Sequence, residues 1–161
     1  LEAGKMQLKR KPASIVEVAK ESIKTVENWA KTKSINISQN IQDGIPEINI
    51  DPDRMIQVFN NLLSNAIKYT PAGGIMNVEV TAKNREVEVS VQDNGIGIPK
   101  EELSKVFEKF YQVGERVSTD VSGTGIGLSV AKEIVVLHGG KIWVESERGQ
   151  GAKFIFTLPL N

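Results

Sequence analysis

The sequence predicts an α+β fold, a two-layer α/β sandwich in which three long helices cover one face of a mixed sheet of about five strands. Three stretches repeat apolar residues at helical spacing, and about five shorter stretches alternate polar and apolar residues as half-buried strands do. Most strands are neighbours along the chain, which favours hairpins and a mixed sheet. A fully parallel, Rossmann-type arrangement is therefore disfavoured.

The helix predictions depend on start and stop signals as well as on periodicity. Ser14 stands at an N-cap position with Glu17 three residues later, the arrangement of a capping box. Pro52 falls in the first turn of the second helix, where its missing N–H has no helical partner to lose. Gly139 and Gly140 end the third helix. The predicted helices span residues 14–32, 51–69 and 125–138, with a shorter helix at 100–110.

The strand predictions come from alternating runs bounded by turn residues. Residues 86–92, with the sequence EVEVSVQ, follow a turn at residues 83–85 and form a hairpin with the preceding run. A second turn at residues 148–151, Arg-Gly-Gln-Gly, joins the last two strands. The predicted strands span residues 35–41, 76–82, 86–92, 141–147 and 153–158, with a short extended piece at 48–50.

Composition limits the class of protein. The chain of 161 residues is about one domain long. Its 20 basic residues balance 20 acidic ones, so net charge does not indicate nucleic acid or an anionic membrane as a partner. No cysteine is present, which excludes disulfides and thiolate metal sites. The chain begins at Leu1 rather than Met, and we expect it to be a fragment of a longer protein.

A polar face on the second helix is the first candidate for chemistry. Asn61, Asn65 and Lys68 stand at positions i, i+4 and i+7 and so share one face. A carboxamide oxygen is a neutral hard ligand for magnesium, which keeps most of its coordination for water and phosphate. The ammonium of Lys68 would then meet phosphate charge. The alternative is an ordinary solvated helix face.

The stretch that follows the strand at residues 86–92 is the second candidate. It has the sequence Asp-Asn-Gly-Ile-Gly-Ile-Pro from Asp93 to Pro99. A carboxylate at a strand tip offers an acceptor, and glycines let the backbone pass close to a flat ligand. Ile96 and Ile98 could form an apolar wall. Taken alone, the triplet that begins the stretch is more often just a turn.

The third candidate is the sequence Gly-Thr-Gly-Ile-Gly-Leu, residues 123–128, at the start of the third helix. Backbone N–H groups at a glycine-rich helix start can bind phosphates. It includes the end of residues 112–124, whose composition is typical of a mobile loop. No Gly-Lys-Ser/Thr follows, so this is not a Walker loop, and no strand directly precedes it, which argues against a dinucleotide fingerprint.

Taken in order, the three segments resemble the ATP-binding catalytic domain of bacterial sensor histidine kinases, within the wider gyrase, chaperone and kinase ATPase superfamily. The resemblance covers about residues 12–160, and the family's Bergerat-type ATP-binding fold agrees with the predicted sandwich. Further matches are Phe-Glu-Lys-Phe-Tyr at 107–111, Leu-His-Gly-Gly at 137–140 and Gly-Gln-Gly-Ala-Lys-Phe at 149–154.

The resemblance implies a role for each matching residue on the helix face. Asn65 would coordinate Mg²⁺, and Asn61 would support the phosphate and metal side. Lys68 would meet a phosphate and, with Asn61, serve catalysis. Tyr69 would pack beside the nucleotide.

At the other end of the implied site, Asp93 would accept a hydrogen bond from the adenine amino group of ATP. Gly95 and Gly97 would let the base approach, with Ile98 beside it. The resemblance also implies that a loop closes over the phosphates and that this loop, its anchor and the following helix start bind the nucleotide. The residues concerned are Phe110, Gly123, Thr124, Gly125, Gly127 and Leu128.

The resemblance also implies a domain division and partners. Residues 1–11 would be the end of a preceding dimerisation helix and linker, and residues 12–161 the ATP-binding catalytic domain. The partners implied are ATP, an upstream histidine-bearing dimerisation domain that forms a homodimer in the full-length protein, and a response regulator receiver domain. The fragment itself would be monomeric, without nucleic acid, and cytoplasmic as part of a membrane-anchored sensor.

The implied activity is that of a protein-histidine kinase. The single histidine, His138, lies at a helix end and is interpreted as structural. The fragment alone is therefore not expected to phosphorylate itself.

Three positions qualify the family match. Gln112 occupies a position where the family often has an arginine that reaches the γ-phosphate, and Ala152 replaces a common hydroxyl residue. Superfamily members that hydrolyse ATP have a glutamate where this chain has Asn61, so the chain favours a kinase over an ATPase. Two alternatives stay open: a nucleotide-gated binding module, which Gln112 favours, and a serine kinase of the anti-sigma type.

Overall fold

The structure is a computed structural model that describes residues 6–108 and 127–160. Within these residues it contains seven strands, three α-helices and one 3₁₀ helix. The strands are β1 (Lys11–Ala13), β2 (Asn36–Ile41), β3 (Ile48–Ile50), β4 (Ile75–Lys83), β5 (Glu86–Asp93), β6 (Lys141–Ser146) and β7 (Ala152–Pro159). The helices are α1 (Ile15–Thr32), α2 (Pro52–Tyr69) and α3 (Gly127–Leu137), with the 3₁₀ helix at Lys100–Lys105.

The main sheet has five strands in the order β2-β4-β5-β7-β6. The pairing of β2 with β4 is parallel, and the other three pairings are antiparallel. This confirms the predicted mixed five-stranded sheet, and the α+β sandwich with it. A separate two-stranded sheet, which the sequence did not predict, joins β1 to β3 in antiparallel register.

The helices cover one face of the main sheet, with α2 packed between α1 and α3. The apolar stripe of α2 is fully buried, and Phe59 meets Phe156 of β7 edge to face at 5.6 Å between ring centroids. On β5, Val87, Val89 and Val91 point into the same core. Burial of side chains of this size contributes roughly 1.5–3 kcal/mol each. The core therefore fixes α2 over the central strand.

The start of α1 has the predicted Ser14 cap, and the start of α2 is capped in the same way. The Ser14 hydroxyl accepts a hydrogen bond from the backbone N–H of Glu17, and Asp51 accepts one from that of Arg54. Each cap satisfies one of the N–H groups that a helix start leaves unpaired. The predicted helix at 100–110 is instead a 3₁₀ helix that ends at Lys105, and residues 109–126 lie outside the described part of the chain.

Residues 6–10 have no regular secondary structure, yet they pack against the domain. Met6 is buried in the core, the backbone N–H of Lys9 donates to Asp51, and the Arg10 guanidinium donates to the carbonyl of Leu137. The proposed division between residues 11 and 12 stays a prediction. Across the ranges 6–108 and 127–160, no helix is long and apolar enough to cross a membrane.

Candidate nucleotide-binding site

A cavity opens where β5 ends, between the C-terminal half of α2 and the start of α3. The space in this cavity is about 450 Å³ when its open mouth is included. Most of its lining is apolar, with a few polar groups from α2 and β5. The lining residues are Asn65, Tyr69, Asp93, Ile96, Gly97, Ile98, Val106, Leu128, Ala152 and Phe154.

Asp93, the last residue of β5, is the acidic side chain of this cavity and is only 6% exposed. Its Oδ1 accepts hydrogen bonds from the backbone N–H groups of Gly95 at 2.8 Å and Ala152 at 3.3 Å. Within the described residues, no hydrogen bond to Oδ2 is found. One carboxylate oxygen is thus fixed by the backbone, and the other is available to accept from a ligand.

Burial raises the pKa of the Asp93 carboxyl above its ordinary value, and the hydrogen bonds from Gly95 and Ala152 partly oppose that rise. An ionised carboxylate in this position costs folding free energy because it has lost water. A titratable group whose burial lowers the stability of the fold, and which faces a cavity, is a candidate for function.

The structure explains the presence of glycine at positions 95 and 97 by a reason that differs from the predicted one. A Cβ on Gly95 would lie 2.2 Å from the carbonyl oxygen of Tyr69, and a Cβ on Gly97 would lie 2.0 Å from that of Glu147. Gly97 also has a φ of +73°, which L side chains rarely adopt. Both glycines therefore permit close packing of backbone on backbone within the protein. Their predicted approach to a base stays a prediction.

The polar end of the cavity comes from α2. Asn65 and Tyr69 lie one helical turn apart and both line the cavity, with Lys68 half-buried between them in sequence. The end of this helix is held from outside, because the Lys33 ammonium donates to the carbonyl oxygen of Ile67 at 2.7 Å. A cation at a helix C-terminus also interacts favourably with the helix dipole.

The donor set fits a magnesium ion held mainly by phosphate and water. Across the described residues, no group of three or more His, Cys, Asp or Glu side chains could hold a metal ion by itself. Mg²⁺ commonly takes one or two protein ligands and completes its shell with substrate phosphates and water. The Asn65 carboxamide, at the cavity wall, suits the role of such a ligand.

Asn61 is placed next to the start of α3. Its side-chain amide donates a hydrogen bond to the carbonyl oxygen of Gly127 at 2.7 Å. The structure therefore joins two of the predicted site residues directly. The Asn61 side chain links the polar face of α2 to the helix that the glycine-rich segment begins.

The predicted loop residues divide into two groups. Leu128 lines the cavity and Gly127 lies beside Asn61, as described above. Phe107, which begins the matching stretch at 107–111, packs edge to face on Phe154 with ring centroids 6.0 Å apart. Four predicted site residues lie outside the described residues: Phe110, Gly123, Thr124 and Gly125.

Three lining residues were not among the predicted site residues: Val106, Ala152 and Phe154. Ala152 and Phe154 belong to the last glycine-rich match of the sequence, and the strand alternation of β7 places both on the helix-covered face. That signal was available in the sequence. Val106 follows the 3₁₀ helix, and its position depends on tertiary packing alone.

His138 lies away from the cavity and is only 3% exposed. Its Nε2 accepts from the backbone N–H of Asp51 at 3.0 Å, and its Nδ1 lies 2.8 Å from the carbonyl oxygen of Ile134. Both ring nitrogens are satisfied when Nδ1 carries the single proton. Burial lowers the pKa of His138, which agrees with a neutral ring. The predicted structural role is confirmed, although hydrogen bonding explains it better than a charge on the helix dipole.

The fold and this cavity define an ATPase-type nucleotide-binding domain. Residues 50–161 match the model of the family described as histidine kinase-, DNA gyrase B-, and HSP90-like ATPase, which is well over half of the chain. The chain belongs to this family.

Individual relatives agree with this assignment. The sensor histidine kinase WalK of Bacillus subtilis is 41% identical over 80% of this chain and 21% of its own length. The adaptive-response sensory kinase SasA of Synechococcus elongatus is 42% identical over 83% of this chain and 34% of its own length. The chain thus spans between about a fifth and a third of these relatives.

Solved structures have the same fold. The catalytic domain of histidine kinase ThkA has a TM-score of 0.82 at 30% identity, and the match covers 94% of this chain and 96% of that domain. Full-length ShkA in complex with AMPPNP has a TM-score of 0.83 at 28% identity, covering 96% of this chain and 32% of ShkA. ThkA has also been solved in complex with the response regulator TrrA. That structure has a TM-score of 0.78 at 28% identity, and the match covers 94% of this chain and 42% of ThkA.

Proposed function

We propose that this chain is the catalytic domain of a two-component sensor histidine kinase, which binds Mg-ATP and presents the γ-phosphate to a histidine on an upstream dimerisation domain. The observation that carries the proposal is the shared cavity of Asp93 and Asn65. One is a buried acceptor in an apolar pocket, and the other is a neutral hard ligand on a polar helix face. A nucleotide with a metal-bound phosphate chain matches this arrangement, with its base at the Asp93 end and its phosphates at the Asn65 end.

The adenine end is supported by the lining around Asp93. Ile96, Ile98 and Phe154 provide apolar surface on which a flat base can pack, and the 39% exposure of Ile96 is surface that a bound base would cover. Asp93 Oδ2 would accept from the exocyclic amino group. A buried acceptor discriminates strongly against a base that lacks the matching donor, because the acceptor would then be left unpaired.

The phosphate end is supported by the positions on α2. Asn65 would hold the magnesium ion, and Lys68, three residues further along α2, would neutralise phosphate charge. The metal, when bound, supplies electrostatic stabilisation of the transferring phosphoryl group. The contribution of this chain is to orient the phosphates and to place its fixed dipoles around them.

Transfer rather than hydrolysis is supported by Asn61. Its carboxamide has no basic oxygen that could take a proton from water, and its amide group is already engaged with Gly127. A water molecule near the γ-phosphate would lack a general base from this residue. The acceptor is then a nucleophile supplied by another domain.

Partners follow from the relatives. ThkA forms a complex with a response regulator, and the sensor kinases WalK and SasA extend well beyond the part matched here. By the same logic, this domain would act within a homodimer and phosphorylate a histidine on its dimerisation domain. The phosphohistidine would then pass the phosphoryl group to a receiver domain, and the protein would work in the cytoplasm, where ATP is available. By itself it would be monomeric.

The test is a transfer assay with radiolabelled ATP and magnesium. The chain is mixed with the histidine-bearing dimerisation domain of its own full-length protein, and the label is sought as acid-labile phosphate on that domain. The proposal predicts label on histidine, no label on the chain alone, and loss of label with Asn65→Ala. ATP binding without transfer would contradict it in favour of a nucleotide-gated module, and acid-stable phosphate on serine would favour a serine kinase.

A further inference from the structure

We infer that Ser146 is a positioning residue that holds the two walls of the adenine pocket in register, an inference that depends on the proposed function. Ser146 is the last residue of β6 and pairs with Ala152 at the start of β7. It is half-buried behind the cavity and is not among the residues that line it. Any effect on a nucleotide must therefore pass through its neighbours.

The Ser146 hydroxyl makes two hydrogen bonds to the backbone of different segments. It accepts from the N–H of Ile98 at 2.8 Å and donates to the carbonyl oxygen of Gly151 at 2.7 Å. A hydroxyl has one proton to donate, so this proton is committed. One side chain thus joins the loop after β5 to the first residues of β7.

Both segments supply residues to the lining of the pocket and so form two of its walls. Ile98 and its neighbours form one wall, and Ala152 with Phe154 forms the other. Asp93 lies between them, and its Oδ1 is fixed by the N–H of Ala152. A shift of the Gly151–Ala152 segment relative to Ile98 would therefore move the acceptor that faces the base.

Backbone contacts bring the segments close enough for this link to matter. The N–H of Gly149 donates to the carbonyl oxygen of Ile96 at 2.6 Å. A Cβ on Gly151 would lie 2.1 Å from the carbonyl oxygen of Asp93. The turn between β6 and β7 therefore rests directly on the Asp93 loop, and Ser146 fixes the sideways position of one on the other.

The test compares Ser146→Ala with Ser146→Thr, which keeps the hydroxyl. Dissociation constants are measured for Mg-ATP and for purine riboside triphosphate, which lacks the exocyclic amino group. We expect Ser146→Ala to weaken ATP binding about tenfold, since it leaves the Ile98 N–H unpaired and releases Ala152. Binding of the analogue should change by less than about twofold, and Ser146→Thr should restore the ATP value.

Two results would overturn the positioning role. One is an unchanged ATP dissociation constant in Ser146→Ala. The other is an equal loss for ATP and the analogue, since a merely structural defect would weaken both alike.

Hydrogen exchange without nucleotide separates this inference from the proposed function. In Ser146→Ala, the amides of Ile98 and Ala152 should exchange faster. The Ile98 N–H loses its acceptor, and Ala152 loses the bond that holds the carbonyl of the preceding Gly151. Unchanged exchange at both amides would overturn the link itself. Failure of the unsubstituted chain to bind ATP would instead overturn the proposed function, and the exchange result would then decide by itself whether Ser146 holds the walls.

Discussion

The Nε2 atom of His138 accepts a hydrogen bond from the backbone N–H of Asp51 across 3.0 Å, so the end of α3 is joined to the start of α2. The same Asp51 caps α2 through Oδ1 and accepts the backbone N–H of Lys9 through Oδ2 at 2.8 Å. The Arg10 guanidinium donates to the carbonyl oxygen of Leu137, next to His138. This polar junction ties the incoming chain to the two helices that flank the cavity.

The polar junction predicts a pH dependence of folding. Burial lowers the pKa of His138 in the folded protein below its unfolded value, so the unfolded chain takes up a proton first as pH falls. The stability that the neutral ring provides is present above the unfolded pKa, near 6.5, and is lost progressively below it. We expect the free energy of unfolding to fall between pH 7.5 and 5.5, by at most about 1.4 kcal/mol per pH unit.

The measurement is denaturant unfolding at several pH values, with His138→Gln as the matched variant. Because His138 is the only histidine in the chain, the variant should lower stability at pH 7.5, by about 1–3 kcal/mol, and remove most of the slope. A slope that persists in His138→Gln would show that another group carries it.

A pair of glycines separates backbone strain from packing at the site. Gly97 and Gly44 have nearly equal φ values, +73° and +76°, but a Cβ would lie 2.0 Å from Glu147 at Gly97 and meet nothing within 4 Å at Gly44. Gly44→Ala should cost about 1–2 kcal/mol for the left-handed backbone alone. Gly97→Ala should cost clearly more in a thermal or denaturant melt and should also weaken ATP binding. Equal losses would contradict the packing role.

The metal end of the site is tested by Asn65→Ala with Asn28→Ala as control. Asn28 lies on the exposed face of α1, so its substitution should leave nucleotide binding unchanged. Asn65→Ala should remove the dependence of ATP affinity on magnesium, with little change in the melting temperature, because Asn65 is only half-buried. Titration calorimetry with and without magnesium measures this. A full magnesium effect in Asn65→Ala would remove Asn65 from the metal.

Local signals predicted the elements of the fold well, and their packing less well. Ser14, Asp51 and Pro52 predicted helix starts because capping is decided by a few adjacent residues. The 3₁₀ form of Lys100–Lys105 was not predicted, since helix type in a short segment is set by what it packs against.

The candidate site shows the same division. Asp93, Asn65 and Leu128 were predicted from motifs, and the structure brings all three to one cavity. The clash of a Cβ on Gly95 with Tyr69, and the bridge made by Ser146, join segments distant in sequence. Spacing along the chain carries no information on such contacts.

The central claim is that Asp93 selects adenine, and Asp93→Asn tests it. Burial raises the pKa of Asp93 in the folded state, so its favourable contribution to stability is present at low pH and lost as pH rises through that pKa. At neutral pH the ionised carboxylate lowers the free energy of unfolding. The asparagine Oδ1 can still accept from Gly95 and Ala152, so the variant should be at least as stable as the unsubstituted chain.

The deciding measurement is the dissociation constant of Mg-ATP for the unsubstituted chain, Asp93→Asn and the exposed control Asp43→Asn, by titration calorimetry at pH 7.5. We predict that Asp93→Asn weakens ATP binding about 10- to 100-fold without loss of stability, since a hydrogen bond to a charged acceptor is worth about 1.5–3 kcal/mol. Asp43→Asn should bind as the unsubstituted chain does. Equal ATP affinity for Asp93→Asn and Asp43→Asn would contradict the account.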